Sequence, residues 1–125
     1  MFQKFYPDLY ISSTYEIDFD RLYRDGYRGL IFDIDNTLVT HGAPANEKAK
    51  KLFAHLHELG FATCLISNNQ EPRVKSFADA VQSMYIYDAH KPSTKNYEKA
   101  MERMHTDKKN TIFIGDQMFT DVFGA

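Results

Sequence analysis

The chain has 125 residues, of which 43% are hydrophobic and 26% charged, with a formal net charge of −2. That size and balance suit a single soluble domain over residues 1–125, able to bury a core without disulfide or metal staples. No basic stripe points to nucleic acid, no apolar run is long enough to span a bilayer, and Met1-Phe2-Gln3-Lys4 does not open a basic-then-apolar export signal, so the cytoplasm is the expected compartment.

The first segment is crowded with aromatics: Phe2, Phe5, Tyr6, Tyr10, Tyr15, Phe19, Tyr23 and Tyr27. Acidic residues are interspersed and no basic face is visible, so packing across the sheet is preferred over a membrane-surface role. Gly29-Leu30-Ile31-Phe32 reads as a buried strand running into Asp33-Ile34-Asp35-Asn36-Thr37-Leu38. Val39 to Ala45 is a connection rich in turn formers. Asn46 predicts a helix cap, with Ala49, Leu52, Phe53, Leu56 and Leu59 at helical spacing and Gly60 as the stop. A second strand, Phe61 to Ile66, carries the lone Cys64 as a small buried hydrophobe and ends in Ser67-Asn68-Asn69. Glu71 to Ala80 predicts a helix whose inner face is Val74, Phe77, Ala78 and Val81. Met84 to Tyr87 is a short third strand. Ser93 or Thr94 caps a helix carrying Tyr97, Ala100, Met101 and Met104. Thr111 to Ile114 is the fourth strand, breaking at Gly115-Asp116.

Strand and helix in strict alternation predict an α/β fold, with parallel strands joined by right-handed crossovers. In such sheets ligands sit beyond the carboxyl ends of the strands. The polar groups gather at those ends: Asp33 and Asp35 after the first strand, Ser67 after the second, Lys91 after the third, Asp116 after the fourth. Ionised carboxylates at the end of a buried strand are costly unless a cation or hydrogen bonds compensate them. Each has a plain structural alternative. Asp33 and Asp35 suit a turn, Ser67 and Asn69 suit helix caps, and Lys91 suits a solvated loop. Asp116 and Asp121 suit a turn and a helix start. The histidines, His41, His55, His57, His90 and His105, show no metal-binding spacing.

The strings Asp33-Ile34-Asp35-Asn36-Thr37-Leu38, Ser67-Asn68-Asn69, His90-Lys91-Pro92 and Gly115-Asp116-Gln117 resemble, in order, the four motifs of the haloacid dehalogenase superfamily of phosphohydrolases. They look most like its small, capless phosphatases, a group that includes phosphatidylglycerophosphate phosphatases. The resemblance implies a Rossmann-like parallel sheet flanked by helices and magnesium-dependent hydrolysis of a phosphate monoester. It makes Asp33 the nucleophile that forms an aspartyl-phosphate, and Asp35 the acid and base that serves the leaving oxygen and then water. Ser67, with the N–H groups of Asn68 and Asn69, would bind the phosphoryl oxygens. Lys91 would stabilise both the Asp33 carboxylate and the transferring group. The Asp33 carboxylate, the Asp35 carbonyl and the Asp116 carboxylate would hold Mg2+. Thr37 would orient the first loop, and Asp121 would support the metal shell.

Neither the loop after Thr37 nor the stretch from Ser67 to Lys91 is long enough for a cap domain. The cleft is therefore expected to be open, suiting a bulky phosphorylated small molecule or lipid headgroup, or a site shaped by contacts within a homo-oligomer. The chain ends soon after the fourth motif, where family members continue with a further strand and helix. A truncated C-terminus is thus expected, with Thr111 to Ile114 as an exposed sheet edge. A catalytically idle phosphate-binding or interaction module is the alternative, and phosphotransfer to an acceptor other than water shares the same intermediate.

Overall fold

The computed structural model describes residues 7–89, 94–115 and 119–121, the backbone alone for 7–10 and 119–121. Along the chain these form α1 (Pro7–Tyr15), α2 (Phe19–Arg24), β1 (Gly29–Phe32), α3 (Glu47–Leu59), β2 (Ala62–Ile66), α4 (Glu71–Val81), β3 (Met84–Ile86), α5 (Thr94–Met104), β4 (Thr111–Ile114) and β5 (Phe119–Asp121). The strands make one sheet in the order β3-β2-β1-β4-β5. β1 lies in the middle, parallel to both β2 and β4, with Gly29 opposite Ala62 on one side and Thr111 on the other. β3 continues the parallel set.

Alternation along the strands divides the core. Leu30 and Phe32 of β1 join Leu65, Ile112 and Ile114 on one face, under Phe53 and Leu56 of α3 and Val74 and Phe77 of α4. Ile31, Cys64 and Ile66 point to the other face, under Ala100, Met101 and Met104 of α5. A strand covered on both faces must be apolar at every position, which is why β1 reads as an unbroken hydrophobic run. Burial pushes the Cys64 thiol up to about 12, so it behaves as a hydrophobe. No helix among the described residues is long and apolar enough to cross a membrane.

Local signals set the helix ends. Asn46 Oδ1 accepts from the Ala49 N–H at 2.9 Å, and Gly60 closes α3 in the left-handed region at φ 116°. A Cβ at Gly60 would also meet the Tyr23 hydroxyl at 2.7 Å, so glycine is required there twice over. α4 starts at Gln70 with no side-chain cap and with Pro72 in its first turn. Ser67 and Asn69 are therefore not its caps.

The aromatic N-terminal segment packs against the sheet as expected, folding into α1 and α2, with Phe19 in the core between Phe32 and Phe61 at ring centroids 6.3 and 6.5 Å away. One feature differs from the sequence-based expectation. β4 is not a bare edge, because β5 pairs with it antiparallel, Ile114 opposite Phe119 and Ile112 opposite Asp121. A strand so short is stabilised only by its partner, so it leaves little trace in the sequence. At the opposite edge, the Arg103 guanidinium donates to the Tyr85 carbonyl at 2.9 Å and blunts β3 against further pairing. Two histidines serve packing contacts: His55 meets Asp20 at 2.8 Å and His57 meets Thr63 at 2.9 Å. His90 lies outside the described residues.

Phe53 is fully buried with its ring centroid 5.0 Å from that of Phe32. Phe53→Ala is expected to cost about 3–5 kcal/mol in chemical denaturation. A loss below about 1 kcal/mol would show that the α3 face does not anchor the sheet.

Candidate active site

The site is built where the parallel strands end. One residue beyond β1, the Asp33 N–H still donates to the Ile114 carbonyl at 3.1 Å, which fixes the Asp33 backbone against β4. Its carboxylate lies beside Gly115. A Cβ at Gly115 would stand 3.1 Å from Asp33 Oδ2 and 2.8 Å from the Phe113 ring, so the glycine after β4 makes room for the carboxylate. Tyr97 of α5 is near enough that the Asp33 charge, added to burial, raises the phenol pKa.

The loop then turns sharply. Asn36 adopts a left-handed conformation at φ 62°, a region that asparagine tolerates, and its N–H donates to the Val39 carbonyl at 2.7 Å. The Ile34 carbonyl accepts from Thr37 and Leu38 at 3.3 and 3.0 Å. The Asp35 carbonyl accepts no backbone hydrogen bond from the described residues. Thr37 is fully buried within this turn, and its Oγ1 has no hydrogen-bond partner among the described residues.

The Asp35 carboxylate accepts three hydrogen bonds from described residues. Its Oδ1 accepts from the Gly42 N–H at 2.8 Å and from Arg73 at 2.9 Å; its Oδ2 accepts from the Asn69 side chain at 3.3 Å. Both ends of the ion pair are shielded, with 18% of the Asp35 side chain and 19% of the Arg73 side chain exposed. Burial by itself would raise the Asp35 pKa. The Gly42 N–H, the Arg73 guanidinium and nearby His41 outweigh it and hold the carboxyl below its usual range.

β2 supplies the opposite wall. Ser67 is buried, with its N–H on the Ile86 carbonyl and its own carbonyl receiving the Ala89 N–H. Its Oγ accepts from the Asn69 N–H at 3.1 Å, which leaves the hydroxyl proton available for donation into the site. Asp33, Asp35, His41, Ser67, Asn68 and Asn69 line one cavity of about 240 Å³. A larger groove of about 680 Å³ runs along β3 and α5 past Tyr85, Lys99 and Arg103, but it holds neither aspartate of the turn. Asp33, Asp35 and Ser67 belong to the smaller of these two cavities.

Of the residues singled out from the sequence, the fold brings Asp33, Asp35, Ser67, Asn68 and Asn69 together and places Thr37 beneath them. Lys91 and Asp116 lie outside the described residues. The backbone of Asp121 is in β5, opposite Ile112, and its side chain is outside the description. No three His, Cys, Asp or Glu side chains cluster as a metal site among the described residues. Sequence reasoning missed Gly42, His41 and Arg73. Arg73 had one signal: it lies four residues after Asn69 and four before Phe77, on the face that α4 turns to the sheet.

Comparison with known proteins identifies relatives of the chain and of its fold. Residues 41–125 match the model of the haloacid dehalogenase-like hydrolases. The chain is 36% identical over 127 residues to the probable phosphatase YqeG of Bacillus subtilis, covering all of this chain and 74% of that protein. Among solved structures, the hypothetical protein XCC2798 of Xanthomonas campestris superposes with a TM-score of 0.62 at 15% identity, over 93% of this chain and 66% of that one. A Vibrio cholerae protein provisionally described as a 3-deoxy-D-manno-octulosonate 8-phosphate phosphatase gives 0.61 at 16% identity, over 78% and 62%. This chain thus spans slightly under two thirds of the length of either structure, and at such identities the likeness establishes the fold alone. The family match and the YqeG relationship go further: the chain belongs to the haloacid dehalogenase-like hydrolases, a family of hydrolytic enzymes.

A carboxyl whose pKa is lowered by folding contributes stability above its unfolded value and loses it as pH falls through the lowered one. Asp35→Asn is therefore expected to reduce the melting temperature at neutral pH, with the gap to the native chain closing on acidification. Thermal unfolding from about pH 7 to about pH 3 reads this directly. A gap that stays constant over that range would show that the Asp35 charge is not held by Arg73 and Gly42.

Proposed function

We propose that the chain is a magnesium-dependent phosphatase that hydrolyses a phosphate monoester through an aspartyl-phosphate on Asp33. The observation that supports this most is the convergence of Asp33, Asp35 and Ser67 on one cavity at the carboxyl edge of the sheet. An Asp33 oxygen attacks phosphorus, the ester P–O bond breaks, and the leaving oxygen takes a proton from Asp35. Water then attacks the aspartyl-phosphate, giving its proton to the Asp35 carboxylate, and inorganic phosphate is released. The hydrogen bonds that keep Asp35 ionised favour the second half of this cycle. A phosphate dianion bound beside it raises its proton affinity for the first half.

Ser67 and the Asn68 N–H would hold the phosphoryl oxygens in line, the Asn69 N–H being engaged by Ser67 Oγ, and Lys91 would neutralise charge shared between them and Asp33. The Asp33 carboxylate, the Asp35 carbonyl and the Asp116 carboxylate would hold the ion. An all-oxygen set of so few protein ligands suits Mg2+ better than a softer metal, and the Asp35 carbonyl, which no backbone donor among the described residues uses, fits such a role. Bound there, Mg2+ supplies charge neutralisation for the carboxylates and the phosphoryl group.

Only short connections join β1 to α3 and β2 to α4, at residues 33–46 and 67–70, so neither carries an inserted cap. An open cavity of this kind fits a phosphorylated small molecule or a lipid headgroup of the phosphatidylglycerophosphate type. The relative's description as a probable phosphatase supports the reaction class. The reading takes residues 1–125 as one hydrolase domain working in the cytoplasm, with the oligomeric state open to measurement.

Release of inorganic phosphate from a chromogenic phosphomonoester is expected in the presence of Mg2+ and is expected to stop with a chelator. Asp33→Asn should fall to background, and Asp35→Asn by about 10²–10⁴-fold. Equal rates for the native chain and Asp33→Asn would remove Asp33 as the nucleophile. A panel of lipid and soluble phosphate esters then ranks the substrates.

A further inference from the structure

Arg73 lies in the first turn of α4, outside the cavity lining, yet it is turned inward and largely buried. One guanidinium nitrogen donates to Asp35 Oδ1 at 2.9 Å, and the guanidinium lies 5.6 Å from the centroid of the Phe77 ring. Its Nε is buried with no hydrogen-bond partner among the described residues. A buried, unsatisfied donor is costly, and a buried ion pair often adds less stability than a well-packed apolar pair of the same volume. Stability alone is thus a poor reason for an arginine at this position.

The two oxygens of Asp35 are in different situations. Oδ1 accepts from Arg73 on α4 and from Gly42 on the loop, at 2.9 and 2.8 Å, which uses both of its lone pairs. Among the described residues Oδ2 has one longer contact, 3.3 Å to Asn69, and keeps acceptor capacity toward the cavity that Asp35 lines. The planar guanidinium is suited to fixing the carboxylate plane, which a point charge such as lysine does less well. We propose that Arg73 is a positioning residue for hydrolysis: by clamping Oδ1 of Asp35 between helix and loop, it presents Oδ2 as the oxygen that exchanges protons with the leaving group and with water. This rests on the phosphatase reading above.

The test is a double-mutant cycle on the full chain with a chromogenic phosphomonoester and Mg2+. Arg73→Met is expected to lower kcat by about 10²-fold, as a mispositioned catalytic group does, and to leave KM within about threefold. Arg73→Lys should recover part of the loss, and added guanidinium ion should partly rescue Arg73→Met. In an Asp35→Asn background, Arg73→Met should cost nothing further. A raised KM at unchanged kcat would instead make Arg73 a substrate-binding group, and an equal loss in both backgrounds would detach it from Asp35; either overturns the proposal, as does a fully active Arg73→Met. Should the native chain show no turnover, the phosphatase reading fails by itself, and the clamp is judged by thermal unfolding of the same four proteins. A destabilisation by Arg73→Met that vanishes in the Asp35→Asn background supports the clamp, and an additive one overturns it.

Discussion

The whole arrangement follows from placing two carboxylates at the end of a fully buried strand. Leu30, Ile31 and Phe32 are completely excluded from solvent, and the chain passes from them straight to Asp33 and, two residues on, Asp35. Charge at the mouth of an apolar core must be met by donors or cations. The surrounding fold meets it. Gly115 leaves space beside Asp33, the Asn36 turn brings the Gly42 N–H to Asp35, and α4 brings Arg73. The same compensation that makes the strand end tolerable also prepares a cavity rich in oriented polar groups.

Parallel topology gives that compensation its location. With β1, β2, β3 and β4 running the same way, every carboxyl end opens at one edge, and the residues just past each strand become neighbours there. The packed layers on either side stay apolar and rigid, so the edge carries chemistry without weakening the core. α4 shows how closely the two tasks are joined. Val74, Phe77 and Ala78 seal the sheet face, while Arg73, next to Val74 in the chain, reaches Asp35 in the turn after β1.

Membership of a hydrolase family sets the frame, and within it Asp35 is held asymmetrically: among the described residues Oδ1 accepts from Gly42 and Arg73 at 2.8 and 2.9 Å, and Oδ2 from Asn69 at 3.3 Å. In the proposed reaction, a group that takes and returns protons would have one oxygen held and the other available. The connections at residues 33–46 and 67–70 are short, and His41, Asn68 and Asn69 line the cavity beside the two aspartates.

The helices α3, α4 and α5 and the four parallel strands were legible because their signals are local: apolar spacing, the Asn46 cap, the Gly60 stop, and unbroken hydrophobic runs. Asp33, Asp35, Ser67 and Asn69 were legible as a group because strand ends in a parallel sheet converge. The helices α1 and α2 were not, since aromatics there are spaced without a clear helical face; α2 is held by Phe19 docking onto Phe32 and Phe61, and the Tyr15 hydroxyl of α1 donates to the Leu38 carbonyl. β5 was not, because three residues become a strand only against β4. Nor was the Arg73 clamp, which joins residues 38 apart in sequence. The sequence by itself determined α3 to α5, the parallel run of β1 to β4 and which polar residues stand at the strand ends, because hydrophobic period and cap chemistry act over a few residues. Only the tertiary structure decided which cation meets which carboxylate oxygen, because that depends on how α4 and the Gly42 loop dock around a turn that neither encodes alone.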